Sequence, residues 1–265
     1  MTKTEVQTKM TDIHVHILPG LDDGAPDIQE AIQMARLASE NGVHKMAATP
    51  HANRELEGGK EMTGSFWKGF GELKQELAQQ QIYLELVPGM EIFFTEDLPQ
   101  AIKAGEVLSL NHSRYYLVEF PFSIHPGRLW QNVQSLLQMP DVIPVIAHPE
   151  RYSCVQKDPE LIYELVMDGV LTQINKGSIT GKFGKKVYRA AMQLLEHNLA
   201  GCVASDAHSA TVRTPYLLDA RAILEKYYSR EYAELLLEEN PEKILQNEEI
   251  VMRAAARPVP KRSFW

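Results

Sequence analysis

Ten histidine, aspartate and glutamate residues stand where short apolar runs of the chain give way to loops. They are His14, His16, Asp22, Asp23, His51, Glu91, Glu119, His148, Asp206 and His208. Imidazole nitrogens and carboxylate oxygens, with no thiolate among them, are donor types that suit Mn, Fe or Zn. Because a β-strand alternates its faces, His14 and His16 project to the same side of one strand and can bind one ion. The set predicts a centre of divalent metal ions.

Two of the carboxylates lie in strongly apolar surroundings. Glu91 stands in the motif PGMEI and Glu119 in YLVEF. An ionised carboxylate in such a place is costly unless it is paired or coordinated, so both residues require cationic partners, which metal ions supply. The other histidines lack such companions and are predicted to have structural roles; they are His44, His112, His125 and His197.

Predicted strands and helices, which must position these residues, alternate along the chain. Apolar runs predict strands at 11–17, 43–49, 82–87 continuing into 90–93, 115–120, 142–147, 171–174 and 201–205. Amphipathic stretches predict helices at 26–41, 62–80, 97–104, 128–138, 159–168, 182–198 and 215–228, with further short helices in 230–247. Such units suit an open doubly wound sheet or a barrel, but the nucleotide-binding motifs GxGxxG and GxxxxGKS/T are missing. In a barrel, the carboxyl ends of parallel strands share one mouth, which would bring the ten residues together.

The composition is that of a globular chain with an acidic balance. Its 265 residues are 44% hydrophobic and 23% charged, with a net charge of -8. We therefore expect no nucleic-acid partner, because that binding uses an excess of Lys and Arg. Two cysteines cannot form a disulfide framework, and their number favours a reducing cytoplasm. The polar start predicts no secretory signal, and no apolar run reaches the length of a membrane span.

Three segments are predicted along the chain: an N-terminal extension at 1–9, one domain at 10–250 and a basic tail at 251–265. The tail carries Arg253, Arg257, Lys261 and Arg262 and no acidic residue. Lys and Arg attract anionic lipid and aromatic rings lie in its interface, so the terminal KRSFW predicts weak membrane contact. A disordered tail is the alternative prediction.

Seven motifs in this order resemble the polymerase-and-histidinol-phosphatase (PHP) superfamily: DIHVHILPGLDDG, AATPHAN, PGMEI, LVEFPF, PVIAHPERY, QINKGSITGKFG and VASDAH. More narrowly, they are similar to its bacterial manganese-dependent protein-tyrosine phosphatases, which are linked to capsule and exopolysaccharide operons. The resemblance extends over residues 10–246. It implies that 10–250 is a PHP phosphatase domain with an α/β fold, a distorted seven-stranded (β/α) barrel with three divalent metal ions at the carboxyl ends of its strands.

The resemblance also implies the metal ligands. A first ion would be held by His14, His16, Glu91 and Asp206. A second would be held by Glu91, Glu119 and His148, with Glu91 bridging. A third would be held by Asp23, His51 and His208, which leaves Asp22 as a neighbour that is not a ligand. Mn²⁺ is favoured by the resemblance, whereas the donor types also admit Fe or Zn.

Clustered divalent ions can clamp phosphate oxygens and activate a water, so metal-activated hydroxide would attack phosphorus in line. Guanidinium groups match phosphate geometry, and we expect Arg151 and Arg213 to hold the phosphate bidentately. From the residues alone, each arginine could equally serve as a structural or surface charge; the resemblance favours phosphate binding. Cysteine catalysis is excluded, because its Cys-x5-Arg signature would require arginine where Glu160 and His208 stand.

The resemblance implies a phosphatase that removes phosphate from tyrosine of a bacterial protein, an autophosphorylated tyrosine kinase of the exopolysaccharide or capsule system. A small-molecule phosphatase of the histidinol-phosphatase type is one alternative, and a non-catalytic PHP module that binds the kinase is another. Motif detail around PGLDDGA, EFPF and AHPERY favours the first. A non-catalytic member of the superfamily would be expected to lack some metal ligands, whereas all nine implied ligands are present in this sequence.

Overall fold

The computed structural model of the protein describes residues 8–52 and 59–258. In these ranges the strands are β1 Met10–Val15, β2 Val43–Ala48, β3 His51–Ala52, β4 Glu85–Pro88, β5 Glu91–Phe93, β6 Tyr115–Glu119, β7 Ile143–Ala147, β8 Leu171–Asn175 and β9 Cys202–Ala204. Their pairings are all parallel, and they form two sheets of order β1-β2-β4 and β3-β5-β6-β7-β8-β9. The mixed α/β class that the sequence predicts is confirmed.

Short interruptions separate β2 from β3 and β4 from β5. Pro50 stands in the first gap and has no N–H to donate to a ladder. Glu91 N donates to Pro50 O (3.1 Å), so the two chain segments remain bonded across both gaps. The strand predicted at 82–93 is therefore divided, and its two parts belong to different sheets.

Backbone bonds also link the first strand to the segment after the last. His16 N donates to Ala207 O (2.9 Å), and Asp206 N donates to His14 O (2.9 Å). Val15 and Ala207 form a parallel bridge between these bonds. The motifs DIHVH and SDAH, about two hundred positions apart in sequence, are thereby fixed side by side at the carboxyl ends of their strands.

Helices follow most strands. They are α1 Ile28–Glu40, α2 Gly59–Gln79, α3 Leu98–Ala104, α4 Pro126–Leu137, α5 Ser153–Lys157, α6 Glu160–Met167, α7 Lys176–Ile179, α8 Lys185–Glu196, α9 Leu218–Tyr227, α10 Arg230–Glu234 and α11 Asn240–Leu245. Single 3₁₀ turns lie at Leu110–His112 and Pro149–Arg151, and a π-helical turn lies at Leu235–Glu239.

Helix α1 shows how the sequence makes and buries such a helix. The Asp27 carboxylate accepts from Gln29 N (2.9 Å) and Glu30 N (3.0 Å), which caps the first turn. Apolar residues at helical spacing then face the sheet, and those buried are Ala31, Ile32, Met34, Ala35 and Ala38. Burial of the larger of these side chains contributes roughly 1.5–3 kcal/mol each.

Three differences from the predicted elements have local causes. The helix expected at 182–198 begins at Lys185, because Gly181 (φ 79) and Gly184 (φ 87) adopt left-handed backbone that ends the preceding turn. The short helices α5 and α7 were not predicted, since four or five residues carry too little periodicity to recognise.

The described part of the C-terminal segment packs against the domain. Arg257 Nη1 lies 3.1 Å from Glu160 Oε1, and the Arg253 guanidinium lies 4.4 Å from the Tyr232 ring centroid. Ala256 N donates to His197 O (2.9 Å). The KRSFW segment and most of the predicted extension at 1–9 lie outside the described residues. Within 8–52 and 59–258, no helix combines the length and apolarity needed to cross a membrane.

An ion pair between α11 and β2 ties the opposite end of the sheet together. Lys45 Nζ lies 2.5 Å from Glu242 Oε1, and Thr11 Oγ1 donates to Glu242 Oε2 (3.0 Å). Burial raises the pKa of Glu242, but the bonds from Lys45 and Thr11 outweigh burial and hold that pKa below its usual value. The Glu242 carboxylate therefore takes up a proton more readily in the unfolded chain than in the folded protein. The ion pair stabilises the folded protein above about pH 4.3, and this stabilisation is lost as the pH falls.

Glu242→Gln is expected to lower the free energy of unfolding by about 1–2 kcal/mol at neutral pH, because the amide keeps the shape but loses the charge. Urea denaturation of this variant and the wild type from neutral pH to about pH 3.5 measures the difference, which should shrink below about pH 4. Glu239→Gln, an exposed neighbour, is the control and should match the wild type. A difference that stays constant with pH would contradict the ion-pair origin.

Candidate metal centre

The ten predicted residues converge at the carboxyl ends of the strands. They lie at the end of β1 (His14, His16), in the loop that follows (Asp22, Asp23), just beyond β2 and β4 (His51, Glu91), at the ends of β6 and β7 (Glu119, His148) and after β9 (Asp206, His208). Asp23 is exposed, and the other nine are buried or partly buried. A set scattered along the chain is thus assembled into one site.

Four side chains form a compact inner group. His14 Nε2 lies 3.2 Å from His16 Nε2, and each of these nitrogens lies 3.2 Å from Glu91 Oε2. Asp206 Oδ1 lies 3.5 Å from the first nitrogen and 3.4 Å from the second. With metal–ligand bonds of about 2.1 Å, neighbouring donors on one ion lie about 3.0–3.4 Å apart. These separations therefore fit a single divalent cation.

Glu91 joins the inner group to a second one. Its Oε1 lies 2.9 Å from His148 Nε2, while its Oε2 lies 3.1 Å from His51 Nδ1. Glu119 lies beside them, 3.7 Å from His148 Nε2 and 4.0 Å from His51 Nδ1. The two oxygens of Glu91 face different histidines, as a bridging carboxylate requires.

A third group lies nearer the surface. Asp23 Oδ1 is 3.6 Å from His51 Nε2 and 3.3 Å from His208 Nε2. The His208 ring packs on the His16 ring with centroids 3.9 Å apart. Ligand atoms of His16, Asp23, His51 and His208 all lie within 4.8 Å of one another, so this group can also hold an ion.

Hydrogen bonds outside the cluster orient its two central histidines. His14 Nδ1 lies 2.8 Å from Gln173 Oε1, and His16 Nδ1 lies 2.6 Å from Asp22 Oδ2. Because both oxygens only accept, each neutral ring carries its proton on Nδ1, and the Nε2 atom that faces the cluster is then the one available to bind metal. Asp22 is thus a hydrogen-bond partner of the candidate ligand His16.

Sequence reasoning did not identify Gln173 or Asn175 as part of the site. Gln173 Nε2 donates to Asn175 Oδ1 (2.8 Å), and Asn175 Nδ2 donates to Asp206 Oδ2 (2.5 Å). The signal was present in the motif QIN, where two amides at alternate positions end β8 and share one face of the strand. Amides are not usual metal ligands, so their residue types alone do not indicate a place in a metal centre.

The charges of the cluster favour added cations. Burial lowers the pKa of His14, but the Glu91 and Asp206 carboxylates outweigh burial and raise it. Burial and the charge of Glu91 raise the pKa of Glu119 to about 8. Burial and the charge of His16 lower the pKa of His208 to about 4, which keeps its nitrogen free to ligate at neutral pH. Glu119 therefore holds a proton beside a second carboxylate, and a divalent cation can replace that proton.

Two candidate ligands lie on strained backbone. His148 has φ 35 and Asp206 has φ 50, in the left-handed region that costs a non-glycine residue roughly 1–3 kcal/mol. Gly24 keeps the Asp22–Asp23 loop close to β1, because a Cβ on Gly24 would lie 2.1 Å from His16 O. The surrounding fold thus holds conformations that the local sequence disfavours.

The two predicted arginines meet at the cluster. Arg213 Nη2 lies 2.5 Å from Asp206 Oδ2, and Arg151 Nη1 lies 3.5 Å from the same oxygen. The Arg151 guanidinium packs over two rings, 4.2 Å from the Phe122 centroid and 4.8 Å from the Phe183 centroid. Both guanidinium groups therefore border the site where an anion would bind.

The remaining histidines contact other parts of the molecule. His125 Nδ1 accepts from Gly127 N (3.2 Å) and caps α4, His44 Nδ1 donates to Met10 O (3.0 Å), and the His112 ring stacks on Trp67. In the described part of the chain, none of the four joins a potential metal-binding group. Both cysteines are buried, and burial raises the pKa of each thiol, as expected for unreactive residues.

Tyr152 joins two of the strand ends that carry candidate ligands. Its hydroxyl donates to Ala147 O (2.8 Å) at the end of β7 and accepts from Phe120 N (3.0 Å) just after β6. Tyr152→Phe is expected to destabilise the protein by about 1–3 kcal/mol, because it leaves a buried N–H and carbonyl unpaired. Urea denaturation measures this, and Tyr83→Phe, whose ring is 85% exposed, is the control. Equal stability of the two variants would contradict this role of the hydroxyl.

The fold and site define an α/β protein whose parallel strands present adjoining groups of metal-binding side chains, flanked by two guanidinium groups. The chain belongs to the family described as "Capsular polysaccharide synthesis, CpsB/CapC", whose model matches residues 10–246. This match covers all of the candidate ligands and both arginines.

Named relatives and a solved structure agree with this assignment. Tyrosine-protein phosphatase YwqE of Bacillus subtilis (strain 168) is 38% identical over 256 residues, which cover 97% of this chain and 99% of the relative. Tyrosine-protein phosphatase CpsB of Streptococcus pneumoniae is 31% identical over 245 residues, covering 90% and 99%. A chain from the crystal structures of YwqE and S. pneumoniae CpsB, described as unique metal-dependent tyrosine phosphatases, matches with a TM-score of 0.86 at 36% identity, covering 95% of this chain and 100% of that one.

Proposed function

We propose that the protein is a metal-dependent phosphatase that hydrolyses phosphotyrosine in another protein. The observation that carries the proposal is the convergence of nine imidazole and carboxylate side chains beside the guanidinium groups of Arg151 and Arg213. The names of the relatives, tyrosine-protein phosphatase, and the description of the similar structure as a metal-dependent tyrosine phosphatase support it.

The proposed cofactor is a set of three divalent ions, with Mn²⁺ favoured over Fe or Zn. The ligands would be His14, His16, Glu91 and Asp206 for the first ion, Glu91, Glu119 and His148 for the second, and Asp23, His51 and His208 for the third. Bound divalent ions neutralise phosphate oxygens and make water acidic enough to serve as a nucleophile near neutral pH. Short distances between ligand atoms within each of the three groups support the proposal, although His51 also lies 3.1 Å from Glu91.

The protein's own groups bind and orient the substrate. Arg151 and Arg213 donate to phosphate oxygens, and the Phe122 and Phe183 rings contact the Arg151 guanidinium and orient it. No side chain is assigned as a general acid. A phenolate leaving group, whose conjugate acid has a pKa of about 10, needs less acid assistance than a serine alkoxide, which favours tyrosine esters.

We also propose that the two sheets are parts of one distorted seven-stranded barrel, in which β2 with β3 and β4 with β5 are single interrupted strands. The bond from Glu91 N to Pro50 O and those between β1 and the segment after β9 support this description. Residues 10–250 would be the phosphatase domain, with an extension before it and a tail after it.

The proposed partner is the phosphorylated tyrosine segment of a bacterial tyrosine kinase in capsule or exopolysaccharide synthesis, and the proposed location is the cytoplasm. The family's description as capsular polysaccharide synthesis supports this context. Membrane contact by the tail stays a prediction that the described contacts do not favour, because Arg253 and Arg257 pack against the domain.

Substrate preference tests the proposed function directly. The Mn²⁺-loaded protein should hydrolyse a phosphotyrosyl peptide at least about tenfold faster, by kcat/KM, than the phosphoseryl peptide of the same sequence. Histidinol phosphate is the third substrate. A preference for histidinol phosphate would favour the small-molecule alternative, and no turnover of any substrate would favour a binding module without catalysis.

Arg213→Lys is expected to reduce kcat/KM for the phosphotyrosyl peptide by about 10- to 100-fold, because lysine keeps the charge but cannot form bidentate hydrogen bonds to the phosphate. Inhibition by inorganic phosphate should weaken in parallel. Arg36→Lys, on the exposed face of α1, is the matched control and should retain wild-type kinetics. A kcat/KM within twofold of the wild type would remove Arg213 from the proposed phosphate site.

A further inference from the structure

A groove of about 770 Å³ lies between α5 and α8, outside the metal centre. Its walls include three exposed cations, Lys157, Lys186 and Arg189. Among the described residues that line it, the one acid is Glu196, at the last residue of α8. The end of the groove formed by the first turn of α8 is therefore basic, although the whole chain carries a net charge of -8.

Both walls of this groove begin beside the proposed phosphate site. On one side, Ser153 opens α5 two residues after Arg151, and Ser153 N donates to Phe122 O (2.7 Å). On the other, Phe183 contacts the Arg151 guanidinium and is followed by the first turn of α8, which carries Lys186. A peptide whose phosphotyrosine reaches Arg151 can thus pass into the groove within a few residues.

The spacing of the cations suits an extended peptide. Lys186 and Arg189 stand at positions i and i+3 of α8, so their side chains lie on one helix face about 5–6 Å apart at Cβ. Alternate side chains of an extended chain point the same way and repeat every 6–7 Å or so. Two acidic side chains at alternate positions can therefore each meet one cation.

We propose that this groove binds an acidic segment of the substrate protein that flanks the target phosphotyrosine. The inference rests on the proposed phosphotyrosine hydrolysis and adds a sequence preference to it. Charge complementarity and continuity with the phosphate site support it, and the groove uses none of the residues assigned to metal or phosphate.

Paired peptides test the proposal. One set places three glutamates before or after the phosphotyrosine, and the other has glutamine at the same positions. Each exposed charge pair changes affinity by up to about fivefold, so the wild type should prefer the acidic peptides by about five- to twentyfold at low salt. Lys186→Glu with Arg189→Glu should abolish or reverse this preference. p-Nitrophenyl phosphate has no flanking residues that could extend from the phosphate site into the groove. Its hydrolysis therefore reports on the metal centre of each variant.

A matched control is the pair Lys74→Glu and Lys103→Glu, which makes the same charge change on exposed positions of α2 and α3. This variant should keep the acidic preference. Lys186→Gln with Arg189→Gln is a milder second variant, and fluorescence anisotropy with a non-hydrolysable phosphonate analogue of the acidic peptide measures binding apart from turnover. Added salt should weaken wild-type binding more strongly than binding to the glutamine variant, because the variant keeps only the contacts to the phosphonate group.

An acidic preference that persists unchanged in both groove variants would overturn the proposal. So would a wild type that hydrolyses acidic and neutral phosphotyrosyl peptides equally, although the proposed function would then stand. Absence of phosphotyrosine hydrolysis by the wild type would instead refute the function on which the inference rests.

Discussion

Asp206→Asn is expected to reduce phosphotyrosine hydrolysis by about 10³-fold or more while the protein stays folded. Asp206 faces both His14 and His16 through one oxygen and both arginines through the other. Loss of its charge weakens the proposed first metal position and releases the guanidinium groups, and a loss of about 4 kcal/mol in transition-state stabilisation corresponds to this factor. The amide is the same size, and asparagine tolerates left-handed backbone at φ 50.

Asp141→Asn is the matched control, because Asp141 also has a left-handed φ of 56 but is exposed. It should retain wild-type kcat and metal content. Peptide hydrolysis, far-UV circular dichroism and elemental analysis measure the three quantities for both variants. Turnover within tenfold of the wild type in Asp206→Asn would contradict the assigned position of this carboxylate, and loss of the folded spectrum would mean that its role is structural.

Removal of divalent ions should abolish activity reversibly and lower thermal stability. Without a cation, burial and the charge of Glu91 favour the protonated form of Glu119, and the charges of Glu91 and Asp206 favour protonated His14. A bound divalent ion replaces these protons. A ligand that binds the folded state at a hundred times its Kd stabilises by about 2.7 kcal/mol, which raises Tm by about 5–10 °C in a domain of this size. Chelation followed by dialysis should reduce hydrolysis to background, and Mn²⁺ should restore it.

Differential scanning calorimetry with and without Mn²⁺ gives a readout that does not depend on turnover. Asp141→Asn should show the full increase in Tm, whereas Asp206→Asn should show a smaller one. Full activity in protein shown by elemental analysis to be free of metal would refute the metal-dependent mechanism. An unchanged Tm at saturating Mn²⁺ would show that the converged side chains do not bind this ion.

Local patterns made much of the site predictable. The period of two along a strand predicts that His14 and His16 share a face, and the apolar setting of Glu91 and Glu119 predicts cationic partners. Parallel strands end at one edge, so residues after successive strands were expected to meet. The structure brings these side chains within ligand distance of one another, and the assignment to the family agrees with the motif order.

Other features depend on how distant strands align. The segment predicted as one strand at 82–93 is split between two sheets because β4 pairs with β2 and β5 pairs with β3. The short helix α5, which forms one wall of the groove, is not revealed by helix periodicity. Gln173 and Asn175 join the site only because β8 lies beside β7 and β9.

The donor types, their order and the side of each strand on which they project could be predicted from the amino acids alone, because side-chain direction follows from local backbone geometry. The folded arrangement was needed to see that one oxygen of Glu91 faces His148 and the other His51, and that both arginines meet at Asp206. Those contacts depend on strand register and on packing between residues far apart in the chain, where shifts of an ångström decide which atoms meet.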